Sequence, residues 1–231
     1  MMFHGYAERI LQGFVTTLEI ALISLFFATV IGLVCALMAL SDNIFCRKIT
    51  RVYALVIRGI PDLLLMLMLF YGGQIALNHV LERLFPDMEM QLSQFTAGVL
   101  TLGFIYGAYF METFRGALLA VPRGQIEAGR AFGMSPFNIN RRILFPQMVR
   151  FALPGFTNNW LVLLKATALV SVIGLQDVMY RAKEAGAGSR QPFTWLLFAG
   201  LLYLLITSVS LFLLRRVERK YSAGVRYGSH A

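Results

Sequence analysis

Two long runs without a charged residue constrain this chain more than any other feature of its sequence. They cover 20–40 and 193–214, which are 21 and 22 residues long. A helix of about 20 apolar residues crosses the hydrocarbon core of a bilayer. Only 14% of the residues are charged, against about 25% in soluble domains. The chain is therefore predicted to be an all-α integral membrane protein, because backbone polar groups in lipid must pair within their own helix.

Five hydrophobic segments are predicted to span the membrane, at about 14–40, 60–80, 95–114, 151–175 and 193–214. Fifteen lysines and arginines lie in 41–58, in 115–150 and after 214, whereas the other connections hold five. Cytoplasmic loops are enriched in these residues, so the N-terminus is predicted outside and the C-terminus inside. This topology explains the net charge of +9 without a nucleic-acid partner. The sequence shows no internal repeat, so residues 1–231 are predicted to form one transmembrane domain that needs a partner.

A polar stretch of 27 residues, VPRGQIEAGRAFGMSPFNINRRILFPQ (121–147), separates the third and fourth predicted spans. Gly133 can adopt the left-handed conformation that ends a helix. Ser135 followed by Pro136 is typical of a helix start, and Pro146 is predicted to end this second helix. A basic segment lying on the inner leaflet is the alternative interpretation, but it leaves these stop and start signals unexplained. We predict a cytoplasmic helix–turn–helix elbow that docks in a groove of another protein.

The elbow resembles the cytoplasmic-loop signature of bacterial ABC importer permeases: Glu-Ala-Ala, three residues, Gly, nine residues, Ile, one residue, Leu-Pro. Every spacing is kept, with Gly129 replacing the second Ala and Phe145 replacing Leu. The resemblance implies that 121–147 forms coupling helices that dock into a separate cytoplasmic ATPase. Glu127 is expected to make a polar contact there, and Gly133 to make the bend. The predicted coupling residues are Glu127, Ala128, Gly129, Gly133, Ser135, Pro136, Ile143 and Pro146.

Three further segments, 58–78, 103–129 and 153–175, resemble the polar amino acid permeases. Within that family they are most similar to the Q-type subunit of the histidine and lysine/arginine/ornithine importers, over about 5–221. The resemblance implies a multi-pass protein of the bacterial inner membrane, with a periplasmic N-terminus. It implies four partners: membrane lipid, a second homologous permease, two copies of an ABC ATPase, and a periplasmic amino-acid-binding protein. Some relatives carry Asp or Ser where this chain has Ala166.

The chain contains none of the motifs that would make it a catalyst by itself. It lacks GxxxxGK[ST], so it cannot build a phosphate-binding P-loop, and it lacks HExxH and GxSxG. The spacing of its cysteines and histidines does not resemble a metal site. We therefore expect no cofactor on this chain, with ATP and Mg²⁺ bound by the partner ATPase. The alternatives are a secondary transporter driven by an ion gradient and a membrane scaffold that recruits a cytoplasmic protein.

Polar residues at membrane depth are candidates for the substrate pathway. Lys165, in the fourth span, either faces the pathway or forms an ion pair at the permease interface. Asn158 and Asn159 precede it in the same span. Glu19 either meets a cationic amino acid or makes an interhelical hydrogen bond. Asp62 either stabilises a helix N-terminus or serves as an inner gate.

Three other expectations concern packing and loops. Glu112 and Arg115 are predicted to pair with each other, three residues apart on one helix. Gly103 and Gly107 have the spacing that allows close helix packing. The segment 176–192 is predicted to hold a short surface helix before a flexible Gly-Ala-Gly-Ser, facing the binding protein.

Overall fold

The computed structural model describes residues 2–84 and 91–222. Arg226, which contributes to the charge count above, lies outside these ranges. Throughout the described ranges the regular structure is helical. The α-helices are α1 (Met2–Ala39), α2 (Ile44–Gly59), α3 (Asp62–Leu67), α4 (Gly73–Leu84), α5 (Gln94–Leu119), α6 (Arg123–Ala131), α7 (Pro136–Ile139), α8 (Phe145–Ala166), α9 (Val178–Ser189) and α10 (Pro192–Ser222). Two π-helical turns, Met68–Gly72 and Asn140–Leu144, and a 3₁₀ segment, Thr167–Ile173, connect consecutive helices.

Four helical stretches in the described ranges are long and apolar enough to cross a membrane. They are Gly5–Ala39, Asp62–Leu84, Pro136–Ile173 and Pro192–Tyr221. The prediction of an all-helical membrane protein is therefore confirmed. The remaining predicted span corresponds to α5, which is not among these four.

Helix α5 is the centre of the bundle, with 15 of its 26 residues buried. It packs mainly against α1, and glycines bring the two backbones together. A Cβ added at Gly103 would lie 2.8 Å from Phe27 Cβ, and one added at Gly107 would lie 2.7 Å from Ile31 Cγ2. The predicted close packing of these glycines is thus confirmed. Small residues serve this purpose in membrane helices because dispersion contacts drive their association.

The connection 41–58 was not expected to be helical, yet most of it forms α2. Asn43 caps this helix, because its side chain accepts a hydrogen bond of 2.9 Å from Phe45 N. Thr50 and Ile57 are buried on one face, and the Tyr53 hydroxyl donates to the carbonyl oxygen of Phe104 in α5. The basic residues of this connection thus belong to an amphipathic helix that packs on the bundle.

The prediction that the second helix of the elbow ends before Pro146 is wrong. The chain is helical without a break from Pro136 to Ile173. A proline in a helix lacks an N–H and collides with the carbonyl four residues earlier. The π-helical turn just before Pro146 is wider, and the Phe145 N–H bonds five residues back, to Asn140 O. This local widening accommodates the proline ring, as π turns commonly do within long helices.

The expectation of a flexible Gly-Ala-Gly-Ser segment is also wrong. These residues form the last turn of α9. A Cβ added at Gly186 would lie 2.8 Å from Pro192 Cα, and one at Gly188 would collide with the Tyr6 hydroxyl. Trp195 Nε1 donates to Ser189 Oγ at 2.8 Å. The glycines here permit tight packing of α9 against α1 and α10, so they serve contact and not mobility.

Candidate functional site

The elbow turns at a glycine in the left-handed region. Gly133 has φ +74°, as its predicted role as a helix stop requires. The Gly133 N–H donates to Arg130 O at 2.9 Å, and the Met134 N–H donates to Gly129 O at 3.0 Å. This pair of bonds is the Schellman motif, which satisfies carbonyl groups at the end of α6. The prediction of a helix that ends at Gly133 is confirmed.

The second arm of the elbow begins with the predicted cap. Ser135 Oγ accepts a hydrogen bond of 3.4 Å from Asn138 N, and Pro136 occupies the first turn of α7. The hydroxyl satisfies one of the N–H groups that a helix start leaves unpaired. The turn between α6 and α7 is therefore fixed on both sides by local backbone interactions.

Two positions of the coupling signature, Gly129 and Ile143, lie on the inside of the elbow. Gly129 is buried and faces α7 and the π turn that follows it. A Cβ added at Gly129 would lie 2.9 Å from Ile143 Cδ1 and 3.3 Å from Ile139 Cγ1. Since these atoms end flexible side chains, the Ala of the signature would fit after a small shift. Gly129 and Ile143 thus hold the two arms together.

The outside of the elbow is apolar at two positions that sequence reasoning missed. Phe132 is 88% exposed and Phe137 is 69% exposed, one on each side of the turn. Glu127, Ala128 and Pro146 are exposed as well. Phe132 is the most exposed large apolar side chain among the described residues. The available signal was the presence of two phenylalanines beside a turn in an otherwise polar stretch.

Two of the pathway candidates share one face of α8. Asn158 and Lys165 are exposed, seven residues apart, in a stripe with spacings of three and four residues. The exposed members of this stripe are Phe151, Pro154, Asn158, Val162 and Lys165. Residues with this spacing lie on one side of a helix. No described residue pairs with Lys165, so in this single chain its ammonium group faces outward.

The other pathway candidates lie apart from this stripe. Asn159 faces the bundle, where its Nδ2 donates to Thr113 Oγ1 of α5 at 2.9 Å. Asp62 lies in the first turn of α3 and accepts a hydrogen bond of 3.0 Å from the Tyr106 hydroxyl. Glu19 is exposed on α1. The structure thus groups Asn158 with Lys165 and ties Asn159 and Asp62 to α5.

The predicted ion pair between Glu112 and Arg115 is confirmed. Arg115 Nη2 lies 2.8 Å from Glu112 Oε2, one turn apart on α5. Both side chains are about one-third exposed, so the pair contributes about 0.5 kcal/mol. Its importance is in cancelling one positive charge near the end of α5.

A buried carboxyl group before α9 also escaped prediction. Asp177 is fully buried, and its Oδ1 accepts a hydrogen bond of 2.8 Å from Tyr180 N. Its Oδ2 has no hydrogen-bond partner among the described residues. Burial raises the pKa of Asp177 to about 6, although its backbone hydrogen bonds and the Lys183 ammonium oppose the shift. The only sequence signal was an Asp just before a helix, which says nothing about burial.

The fold and the elbow define a class of membrane transport component. The family described as "Binding-protein-dependent transport system inner membrane component" matches residues 10–223. This chain belongs to that family.

Relatives within the family are similar over nearly the whole chain. The histidine/lysine/arginine/ornithine transport system permease protein HisQ of Salmonella typhimurium is 52% identical over 225 residues, or 97% of this chain and 98% of the relative. HisQ of Escherichia coli is 49% identical with the same coverage. A chain in the crystal structure of an amino acid ABC transporter with histidines superposes with a TM-score of 0.80 at 29% identity, covering 94% of this chain and 96% of that one.

Proposed function

We propose that this chain is a permease subunit of an ATP-driven importer of basic amino acids: histidine, lysine, arginine and ornithine. The observation that carries the proposal is the 52% identity, over 97% of the chain, to a permease named for these four substrates. The elbow supports it independently, because it keeps the spacing of the coupling signature and is folded around it. The chain itself catalyses nothing in this proposal, since it lacks a P-loop and other catalytic motifs.

The proposed topology has five spans, with α5 as the third. The N-terminus is periplasmic, and the elbow and C-terminus are cytoplasmic, in the bacterial inner membrane. The asymmetric distribution of lysine and arginine supports this orientation. In this topology α5 is a central span that packs mostly against neighbouring helices, which its burial supports. The whole chain, 1–231, forms one domain, within which 121–147 is the coupling loop.

In this proposal the elbow is the contact with the ATPase. Phe132 and Phe137 insert into an apolar cleft, while Glu127 makes a polar contact at its edge. Gly129 and Ile143 act inside the elbow by holding its arms together. Buried aromatic anchors surrounded by polar contacts are typical of the energetic centre of an interface. ATP and Mg²⁺ bind to the ATPase, of which the assembly holds two copies.

Transport follows from the continuity of the elbow with α8. Closure of the ATPases moves the elbow, and the helix from Pro136 to Ile173 carries that movement into the membrane. The stripe with Asn158 and Lys165 then faces the pathway shared with a second, homologous permease. The positive charge of Lys165 attracts the carboxylate of the substrate and repels its cationic side chain. A periplasmic binding protein delivers the amino acid.

The proposal is tested with the assembled complex in lipid nanodiscs. ATP hydrolysis is measured with the binding protein loaded with each of the four amino acids, or with glutamate. Basic amino acids are expected to stimulate hydrolysis, whereas glutamate is not. The Phe132→Ala/Phe137→Ala variant is expected to lose the stimulation, while Phe193→Ala, which removes a comparably exposed ring (77%) from the start of α10, retains it.

Three results would contradict the proposal. Equal effects of the elbow and Phe193 variants would show that the elbow is not the coupling contact. Uptake into vesicles that survives ATP depletion and stops with an uncoupler would indicate an ion-driven transporter instead. Vesicles that bind cytoplasmic partners but move no amino acid would support a scaffold.

A further inference from the structure

Helix α2 has two exposed flanks of opposite character on either side of the face that packs on the bundle. One flank is apolar, with Phe45 73%, Ile49 61%, Val52 58% and Val56 44% exposed. Their spacings of four, three and four residues keep them in one stripe along the helix. An amphipathic helix with this exposed apolar stripe is suited to lie against lipid.

The other flank of α2 borders a cavity of about 220 Å³ between the end of α1, α2 and α5. Its polar lining consists of Arg47, Thr50, Arg51, Glu112 and Arg115. Three guanidinium groups and one carboxylate therefore line this cavity. The cavity carries a net charge of +2, so its chemistry selects an anion.

Two of the three guanidinium groups are not neutralised within the described ranges. Glu112 pairs with Arg115 at 2.8 Å, whereas Arg47 and Arg51 form no ion pair with any described residue. Arg47 and Arg51 are one helical turn apart, so their side chains leave α2 in the same direction. Planar guanidinium groups bind phosphate oxygens through two parallel N–H bonds each.

We propose that this cavity binds the phosphate diester of an anionic phospholipid, whose acyl chains lie against the exposed outer face of α2 that carries Ile44 and Leu55. The charge of the cavity accounts for the headgroup. Ile44 and Leu55, which are exposed and lie one helical turn from Arg47 and Arg51, account for the hydrophobic part of the same ligand. A free phosphate ion would use the arginines alone. The site lies at the end of α1 and beside Arg115 of α5, near the start of the connection to the elbow. It is independent of the transported amino acid.

The experiment measures lipid binding to the purified, assembled transporter by native mass spectrometry and by the shift in melting temperature. The probes are phosphatidylglycerol, phosphatidylcholine with the same acyl chains, and inorganic phosphate. The wild type is expected to retain phosphatidylglycerol and to melt at a higher temperature in its presence. Neither phosphatidylcholine nor millimolar phosphate should reproduce the effect.

The test variant is Arg47→Gln/Arg51→Gln, and the control is Lys48→Gln/Lys220→Gln, which removes the same charge from exposed positions outside the cavity. The test variant should bind phosphatidylglycerol about 30-fold more weakly, because it removes two guanidinium contacts to the phosphate, whereas the control should bind it like the wild type. Arg47→Lys/Arg51→Lys, which preserves the charge, should recover part of the affinity and reports on correct folding.

Three outcomes would overturn the proposal. Equal losses of phosphatidylglycerol affinity in the test and control variants would show that only the overall charge of the protein matters. Displacement of the lipid by inorganic phosphate would mark a site for free anions. Unchanged lipid affinity together with loss of the ATPase or the second permease during purification would make the cavity a protein interface.

Discussion

Replacing Gly133 by alanine changes the elbow in a single, calculable way. A Cβ added at Gly133 meets no atom within 4 Å, so the substitution introduces no clash. What it changes is the backbone preference at φ +74°. A non-glycine residue in the left-handed region costs about 1–2 kcal/mol. The undocked elbow escapes this cost by leaving the left-handed conformation, whereas the docked elbow must adopt it again.

If docking requires the folded elbow, this cost weakens the binding of the ATPase. An energy of 1–2 kcal/mol corresponds to an increase in Kd of about 5- to 30-fold. Gly133→Asn should have a smaller effect, because asparagine tolerates the left-handed conformation better than alanine does. The measurement is the Kd of the isolated ATPase for the permease pair in nanodiscs, by biolayer interferometry.

Gly124→Ala is the matched control, because it adds the same methyl group to α6, where nothing lies within 4 Å. Alanine favours helix by up to about 1 kcal/mol over glycine, so this variant should bind as tightly as the wild type or more tightly. The reasoning is refuted if Gly133→Ala binds like the wild type. It is also refuted if the two alanine variants lose affinity to the same extent.

Three further predictions concern stability, each measured by thermal unfolding of the purified complex. The pKa of Asp177 in the folded protein, about 6, lies above its ordinary value of 3.8. The protonated carboxyl group therefore contributes to stability below pH 4. This contribution is lost as pH rises through 6, and the loss reaches about 3 kcal/mol at neutral pH. Asp177→Asn should remove this pH dependence, and a difference from the wild type that is constant with pH would contradict it. Gly13→Ala places a methyl carbon 2.7 Å from the Asp177 carbonyl oxygen and should lower the melting temperature. Gly5→Ala, which has open space around it, should leave the melting temperature unchanged. Equal effects of the two variants would show that the clash does not matter. Thr113→Val and Asn159→Ala should each cost about 1 kcal/mol and show a coupling of similar size in a double-mutant cycle, which strictly additive costs would disprove.

The parts of the fold that sequence predicts here are those determined by neighbouring residues. Gly133 ends a helix and Ser135 begins one because each acts on backbone groups within four positions. Glu112 and Arg115 pair for the same reason. Helix α2 was not predicted, although its basic residues lie on one side of an amphipathic helix. The helix end predicted at Pro146 was wrong because the π turn before it accommodates the proline ring, and no simple sequence rule predicts such a turn.

The candidate site depends more on tertiary packing, and it was predicted less completely. Asn158 and Asn159 are adjacent and chemically identical, yet one faces outward and the other bonds to α5. Their difference follows from the rotation of α8 about its axis, which its neighbours set. The burial of Asp177 and the exposure of Phe132 are likewise consequences of what packs nearby. Motif spacing identified the elbow, but not the aromatic surface that it presents.

In the proposed mechanism, the unbroken helix from Pro136 to Ile173 makes the elbow and the middle of the membrane two ends of one lever. Pro136 and Lys165 are separated by about 44 Å, at 1.5 Å per residue. A tilt of about 5° therefore displaces Lys165 by about 4 Å relative to the elbow, which is close to the width of a methylene chain. A flexible insertion in this rod would disconnect ATP consumption from transport while leaving both ends intact.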